Sequence, residues 1–331
     1  MQKKIVYVGV GCIIIILVYY LTILNNIGIY QIKPEHASSA NANLWRIANS
    51  TIEVTEKTLR SGAVIFTYTN INECIALLQQ KYPDLSDYDL AIFLRYFTGQ
   101  STDNLPEKEI LNILQYDNIS LSSAYFQIKY NGAVQEISRQ DAFTAGADSL
   151  IKITTGLSLI QTDDEMNYYT IWTSADWPAG NPHNQENALV LSNNATFNSE
   201  YEEQGIVQSA YTCPDCGQTT YKTRNVNSQN TADADLYLEY NSFAPFLRFK
   251  SLKTKCANCP AHYIPQAASC HAYLECGIIA ADNVQIQTGY ACQKAGGNIN
   301  VTAAYPLSDD YTFTSQSGKP VICIAPALKF N

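Results

Sequence analysis

Ten cysteines are spread unevenly along the chain, and eight of them fall between residues 213 and 323. An even number crowded into one third of the length implies cross-linking, through a metal or through disulfides. Two pairs share the Cys-x-x-Cys spacing: Cys213 with Cys216, and Cys256 with Cys259. Two thiolates at that spacing on a tight turn can both point at one tetrahedral cation, so the two pairs together would close a four-sulfur site. Gly217 follows the first pair. A glycine there takes positive φ freely and lets backbone N–H groups reach the sulfurs. The same thiols in an oxidising compartment would instead form disulfides, and Cys270, Cys276, Cys292 and Cys323 are the best candidates for those. Cys12 lies in the apolar membrane run, where it reads as an apolar side chain, and Cys74 lies on the apolar face of an expected helix, where it reads as a buried free thiol.

Cys213-Pro-Asp-Cys216-Gly217 resembles the knuckle of a zinc ribbon. The resemblance implies a structural zinc on Cys213, Cys216, Cys256 and Cys259. It is carried by residues 213–217 and weakens at the second pair. Pro260 stands where such knuckles have glycine, and it can neither take positive φ nor donate an N–H. The gap between the pairs is also longer than an ordinary ribbon needs. Either cross-link is structural, because four sulfurs leave no open coordination position for a substrate. No catalytic cofactor is called for.

The other chemistry-bearing residues point to no enzyme. The four histidines are His36, His183, His262 and His271, and no HExxH, P-loop, strand-borne GxGxxG or GxSxG occurs. The enzymatic alternative is a single-pass glycosyltransferase using Asp233-Ala-Asp235 to hold a divalent metal, with Asp163-Asp164-Glu165 as a second acidic cluster. The alternation of parallel strands and long helices that surrounds a nucleotide site is missing.

These residues sit behind a membrane signal. Ile5–Leu24 (IVYVGVGCIIIILVYYLTIL) carries no charge. About 20 such residues span a bilayer as a helix. Lys3 and Lys4 precede the run and Lys33 is the next cation, so the positive-inside rule keeps the N-terminus on the cytoplasmic side and exports the rest. Tyr19, Tyr20 and Tyr30 fit an interfacial belt. No small-residue cleavage site follows Leu24, which argues for an anchor rather than a removed signal peptide. The body behind it is acidic, with a net charge of −9 for the chain and no basic run, which excludes phosphate-led nucleic-acid binding. Sequons at Asn49, Asn118, Asn194 and Asn300 permit a secreted setting without requiring one.

The expected fold is α+β, mainly β. Residues 1–25 form tail and anchor, 26–43 a stalk, 44–118 a small helical block, and 119–331 a β-rich body, sandwich-like or barrel-like. In the block, Ile71, Cys74, Ile75 and Leu78 share one helical face, and Ser86 caps a helix that Gly99 ends. A third helix starts at Pro106. In the body, Asn131-Gly132 between Tyr125–Tyr130 and Ala133–Ile137 signals a hairpin with a two-residue turn. Further strands are expected at Leu150–Thr154, Tyr168–Thr173, Ala188–Leu191, Ile206–Tyr211, Leu236–Tyr240, Val284–Thr288 and Val321–Ala325, with a long loop at Ser174–Glu186.

The layout of one anchor, a stalk and a low-charge β body resembles that of minor capsid proteins of large icosahedral DNA viruses. That resemblance implies a virion protein linking an internal membrane to the shell, with the bilayer and other structural proteins, or itself, as partners. A cell-surface receptor or adhesin ectodomain is the alternative. Deleting residues 1–25 should move the chain from the membrane pellet to the supernatant on fractionation; retention in the pellet would mean a second membrane-binding surface.

Overall fold

The computed structural model describes residues 39–59, 63–100, 107–129, 132–144, 150–162, 166–177, 186–198, 201–233, 235–240, 244–250, 254–256, 258–259, 263–264, 267–281, 283–293, 299–302, 304–308, 312–315 and 319–330. The expected anchor at Ile5–Leu24, the start of the stalk and Pro106 lie outside these residues. Among the described residues no helix is long and apolar enough to cross a membrane. The mainly β, α+β expectation holds.

The chain opens with α1 (Ser39–Thr51), β1 (Glu53–Thr58), β2 (Val64–Thr69), α2 (Ile71–Lys81), α3 (Asp87–Phe97) and α4 (Glu107–Leu111). On α2 the buried residues are Ile71, Cys74, Ile75 and Leu78, the stripe that helical spacing demands. Ser86 Oγ accepts the Asp89 N–H at 3.1 Å and caps α3. At the other end Gly99 has φ +75°, Gly99 N–H donates to Tyr96 and Gln100 N–H to Arg95, which is a Schellman stop.

Then follow β3 (Asn118–Ile128), β4 (Val134–Ile137), α5 (Arg139–Thr144), β5 (Leu150–Thr162), β6 (Asn167–Trp177), β7 (Glu186–Asn193), β8 (Thr196–Phe197), β9 (Gln204–Thr212) and β10 (Thr219–Asn227). The rest is β11 (Ala232–Asp233), β12 (Leu236–Tyr240), β13 (Pro245–Phe249), β14 (Thr254–Lys255), β15 (Tyr263–Ile264), β16 (Ser269–Ala280), β17 (Val284–Gln293), β18 (Ile299–Val301), β19 (Phe313–Ser315), β20 (Val321–Ile324) and β21 (Leu328–Phe330). The β3–β4 hairpin forms, but its turn sits one residue earlier than the two-residue expectation. Gly132 N–H donates to Lys129 C=O and Lys129 N–H to Ala133 C=O, with Gly132 at φ +83°. Three residues therefore bridge the strands, with glycine in the left-handed position of the bulge.

Two open antiparallel sheets pack face to face, so the body is a sandwich and not a closed barrel. The first has the order β1-β2-β3-β5-β6-β16-β9-β10, and the second β11-β12-β13-β7-β17-β20. Inner-face residues Ile151, Ile171 and Leu274 of the first meet Leu189, Leu247 and Ile286 of the second in one core. A chain of hydroxyls crosses that core: Thr155 and Thr288 Oγ1 lie 2.8 Å apart, and Thr288 donates to Thr173 at 2.9 Å. Helices α1–α4 cover the outer face of the first sheet, burying Leu44, Leu78 and Leu94 against Ile119, Trp172 and Tyr273. β2, from within residues 44–118, pairs with β3, so these helices and strands are continuous with the sandwich. The β18–β19 ribbon covers the outer face of the second sheet, through Ile299 and Phe313 on Val190 and Phe246.

Edge strand β1 is exposed throughout and carries Glu53, Glu56 and Lys57, charges that discourage edge-to-edge pairing. At the centre of the first sheet Gly156 stands opposite Trp172, whose indole stacks on Tyr116 at 5.7 Å. A Cβ at Gly156 would lie 2.1 Å from that ring. Gly156→Ala should destabilise the chain by about 1–3 kcal/mol through overpacking. Urea unfolding checks this, and an unchanged midpoint would mean that Trp172 does not dock there.

Candidate metal centre

The knuckle at Cys213 is built by the β9–β10 hairpin. Thr212 and Thr219 are its last paired residues. Cys213 N–H then donates to Gln218 C=O and Gly217 N–H to Cys213 C=O, both at 2.9 Å. Gly217 takes φ +69°, as expected for the residue after the second cysteine. The second pair sits on another short hairpin, with Cys256 directly after β14, which pairs with β15. Pro260 lies outside the described residues. Among the described residues the long gap between the pairs holds five strands: β10 completes the first sheet, β11–β13 begin the second, and β14 pairs with β15.

The hairpins bring all four sulfurs within 4.8 Å of one another. Cys216 Sγ and Cys256 Sγ are 3.5 Å apart. A disulfide needs about 2.05 Å, whereas thiolates about 2.3 Å from a tetrahedral zinc sit about 3.8 Å from each other. The spacing therefore fits a shared cation. Cys213 and Cys256 are buried, Cys259 is half-buried and Cys216 is exposed. Among the described residues, Tyr211 and Ala267 join Cys213, Cys256 and Cys259 in a small apolar cluster.

Electrostatics argue the same way. Backbone N–H groups of Cys216 and then Asp215, helped by the Cys256 thiol, lower the Cys213 pKa to about 7. For Cys216 the Gln218 N–H pulls downward, but the neighbouring Cys256 and Cys213 sulfurs outweigh it and the net shift is upward. Cys259 is pushed up to about 12, first by Cys216, then by burial and Cys213. Cys213 forms a thiolate readily at neutral pH, and Cys216 and Cys259 resist joining it. A dication would remove that resistance.

The remaining cysteines do not match the disulfide expectation. Among the described residues no cysteine is in a disulfide. Cys270 and Cys276 lie six residues apart on β16, roughly 20 Å along a strand, far beyond disulfide reach. Cys292 stands opposite Val321, and Cys323 opposite Tyr290, so neither faces the other directly. All four point into the sandwich core, where they pack as small apolar side chains. Burial pushes Cys270 up to about 11, Cys292 up to about 12 and Cys74 up to about 11, which keeps these thiols protonated and unreactive.

Other sequence-predicted positions scatter. Asp233 lies in β11, and Asp235, at φ +66°, turns the chain into β12. The Arg224 guanidinium is within electrostatic reach of both and competes with any cation there. Among the described residues, the four cysteines are the one group of three or more Cys, His, Asp or Glu side chains that can reach a single ion. His36, His183, His262 and Asp163–Glu165 lie outside the described residues. Asn49 and Asn300 are exposed. Asn118 is half-buried and donates to Asp117. Asn194 ties two loops by donating to Asn283 C=O and accepting from Gln285 N–H.

Sequence reasoning missed two polar constellations. His271 Nδ1 lies 2.6 Å from Asp176 Oδ1 on the adjacent strand. Fully buried Glu275 accepts from the hydroxyls of Tyr201 and Tyr273 and from Asn112 Nδ2. Both sit on odd-numbered positions of β16. The two-residue period of a strand could have revealed that face, had Ser269–Ala280 been read as a strand.

No family model and no curated protein matches this chain. Among solved structures, a chain described as "BspA_C_WT" is 14% identical over 47% of this chain, with a TM-score of 0.24. This chain spans 58% of that protein's length. A chain from the structure described as "Complete structure of manganese lipoxygenase of Gaeumannomyces graminis and partial structure of zonadhesin of Komagataella pastoris" is 8% identical, covering 85% of this chain and 93% of that one, with a TM-score of 0.27. Likeness at this level transfers no function.

If the four sulfurs hold zinc, Cys216→Ser should lower the metal content per protein, read by elemental mass spectrometry, while Cys292→Ser should leave it unchanged. Equal metal content in both variants would remove the four-cysteine site.

Proposed function

We propose that this chain is a membrane-anchored structural protein whose zinc-stapled β-sandwich works by contact rather than by catalysis. The observation that carries this reading is the four-sulfur cluster. Its ligands fill a tetrahedron and leave no position for substrate or water. The anchor comes from the charge-free run Ile5–Leu24. The acidic, low-charge body suits protein partners or self-association better than nucleic acid.

The specific setting proposed is a virion, with the chain linking an internal membrane to the surrounding shell. The thiols support this over the cell-surface alternative. A zinc thiolate site and four core thiols suit a body folded in a reducing compartment, whereas secretory export would oxidise them. This reading favours a body on the cytosolic side, opposite to the orientation read from the flanking lysines. The orientation signal is small: within about 15–20 residues of the span, Lys3 and Lys4 oppose Lys33 alone. The thiol chemistry outweighs a difference of one charge. A glycosyltransferase using Asp233 and Asp235 gains no support from Arg224 beside them.

Sedimentation of native-source material after mild detergent tests the reading. The chain should stay with a large particle once lipid is stripped, with its thiols free on blocking and non-reducing electrophoresis. Release as a small, disulfide-bonded species would favour the cell-surface reading.

A further inference from the structure

A second site lies on the outer face of the second sheet, away from the cysteines. It is a cavity of about 180 Å³ lined by Glu186, Asp235, Tyr237, Arg248, Phe249 and Lys250. Adjacent strands build it. Tyr237 on β12 stands opposite Arg248 on β13, and Glu186 begins β7 next to the end of β13.

Arg248 is the centre of the arrangement. Its Nη2 pairs with Glu239, and its guanidinium lies 5.3 Å from the centroid of the Tyr237 ring. These two contacts fix the group in place. On the other side Nη1 stops 3.8 Å from Glu186 Oε1, too far for a hydrogen bond. Nε is buried and has no hydrogen-bond partner. Glu186 is only 3% exposed and accepts the Ile299 N–H at 3.1 Å, so its carboxylate is held by the ribbon that covers this face. A pinned guanidinium and a pinned carboxylate thus face the same space as a long ion pair, with no direct hydrogen bond between them. A ligand that both accepts and donates would meet the open side of each group.

The lining selects the ligand class. Two carboxylates and two cations line the cavity, so their charges cancel. An anion would meet Arg248 and Lys250 but be repelled by Glu186 and Asp235, and a cation would meet the reverse. A hydroxyl both donates and accepts, so a ring of hydroxyls satisfies both kinds of group at once. The volume is below the roughly 300–1,000 Å³ of drug-sized sites, which limits the ligand to about one ring. We infer that this cavity binds a single neutral sugar unit, such as a terminal hexose of a glycan. This goes beyond the assembly reading, and its failure would leave particle association untouched.

Saturation-transfer NMR tests this on the full chain in a detergent without a sugar headgroup. The probes are glucose, galactose, mannose and N-acetylglucosamine, with inorganic phosphate as the anion control. At least one sugar should bind in the millimolar range. Asp235→Asn tolerates the left-handed backbone, and Lys250→Gln changes an exposed side chain; each should weaken that sugar at least about tenfold, equivalent to about 1.4 kcal/mol, without moving the unfolding midpoint. Tyr88→Ser, on the exposed face of α3, should leave binding unchanged. Absence of transfer to every sugar would overturn the inference, as would sugar binding that survives both cavity variants. Phosphate bound more tightly than any sugar, and lost in Lys250→Gln, would make this an anion site instead.

Discussion

Burial of the first sheet on both faces is the constraint from which the rest of the architecture follows. Its central strands β5, β6 and β16 meet the second sheet on one side and the helices on the other. Such strands cannot use simple alternation of apolar and polar residues, and every polar group they carry must find a partner inside. β16 shows the consequence. Its even positions, Cys270 to Ile278, feed the sandwich core, while its odd positions place His271, Tyr273 and Glu275 toward the helical side. Glu275 would be costly if unpaired, since a buried charge without partners loses several kcal/mol. The hydroxyls of Tyr201 and Tyr273 and the amide of Asn112 satisfy it and tie the helical layer to the sheet.

The cysteine staple answers a different weakness. The chain must leave the second sheet at β13 and re-enter the first at β16. On the way its described residues form the two-residue strands β14 and β15. Among the described residues the apolar packing here amounts to Tyr211, Ala267 and the cysteines themselves. That is too little to order a hairpin against backbone entropy of about 1–2 kcal/mol per residue. Structural zinc in small finger peptides contributes about 10–16 kcal/mol at neutral pH. A metal of that strength would hold the crossing to the β9–β10 turn, although five described strands separate the two cysteine pairs in the chain.

Much of the local structure was legible because it obeys short-range rules. The buried stripe of α2, the Ser86 cap, the Gly99 stop and the strand cores from Leu150 to Val321 follow from periodicity and turn residues. The knuckle at Cys213 was equally legible, because its spacing and Gly217 are local. What failed was whatever depends on pairing across the chain. Cys270, Cys276, Cys292 and Cys323 looked like a disulfide set by number alone, but sheet register sends them into the core as separate thiols. β16 is hard to read because Cys270 and Cys276 look like cross-link candidates, whereas its residues fill the two faces of one buried strand. The Arg248 cavity had no sequence signal, since its residues come from three strands and owe their meaning to being adjacent.

The central claim is that four cysteine sulfurs hold one metal and staple the crossing between the sheets. X-ray absorption at the zinc edge, on chain purified from its source without added metal, tests it most directly. The account predicts one zinc per chain with four sulfur neighbours at about 2.3 Å. A spectrum with nitrogen or oxygen neighbours, or a chain with no bound metal and Cys213, Cys216, Cys256 and Cys259 joined as disulfides, would contradict it.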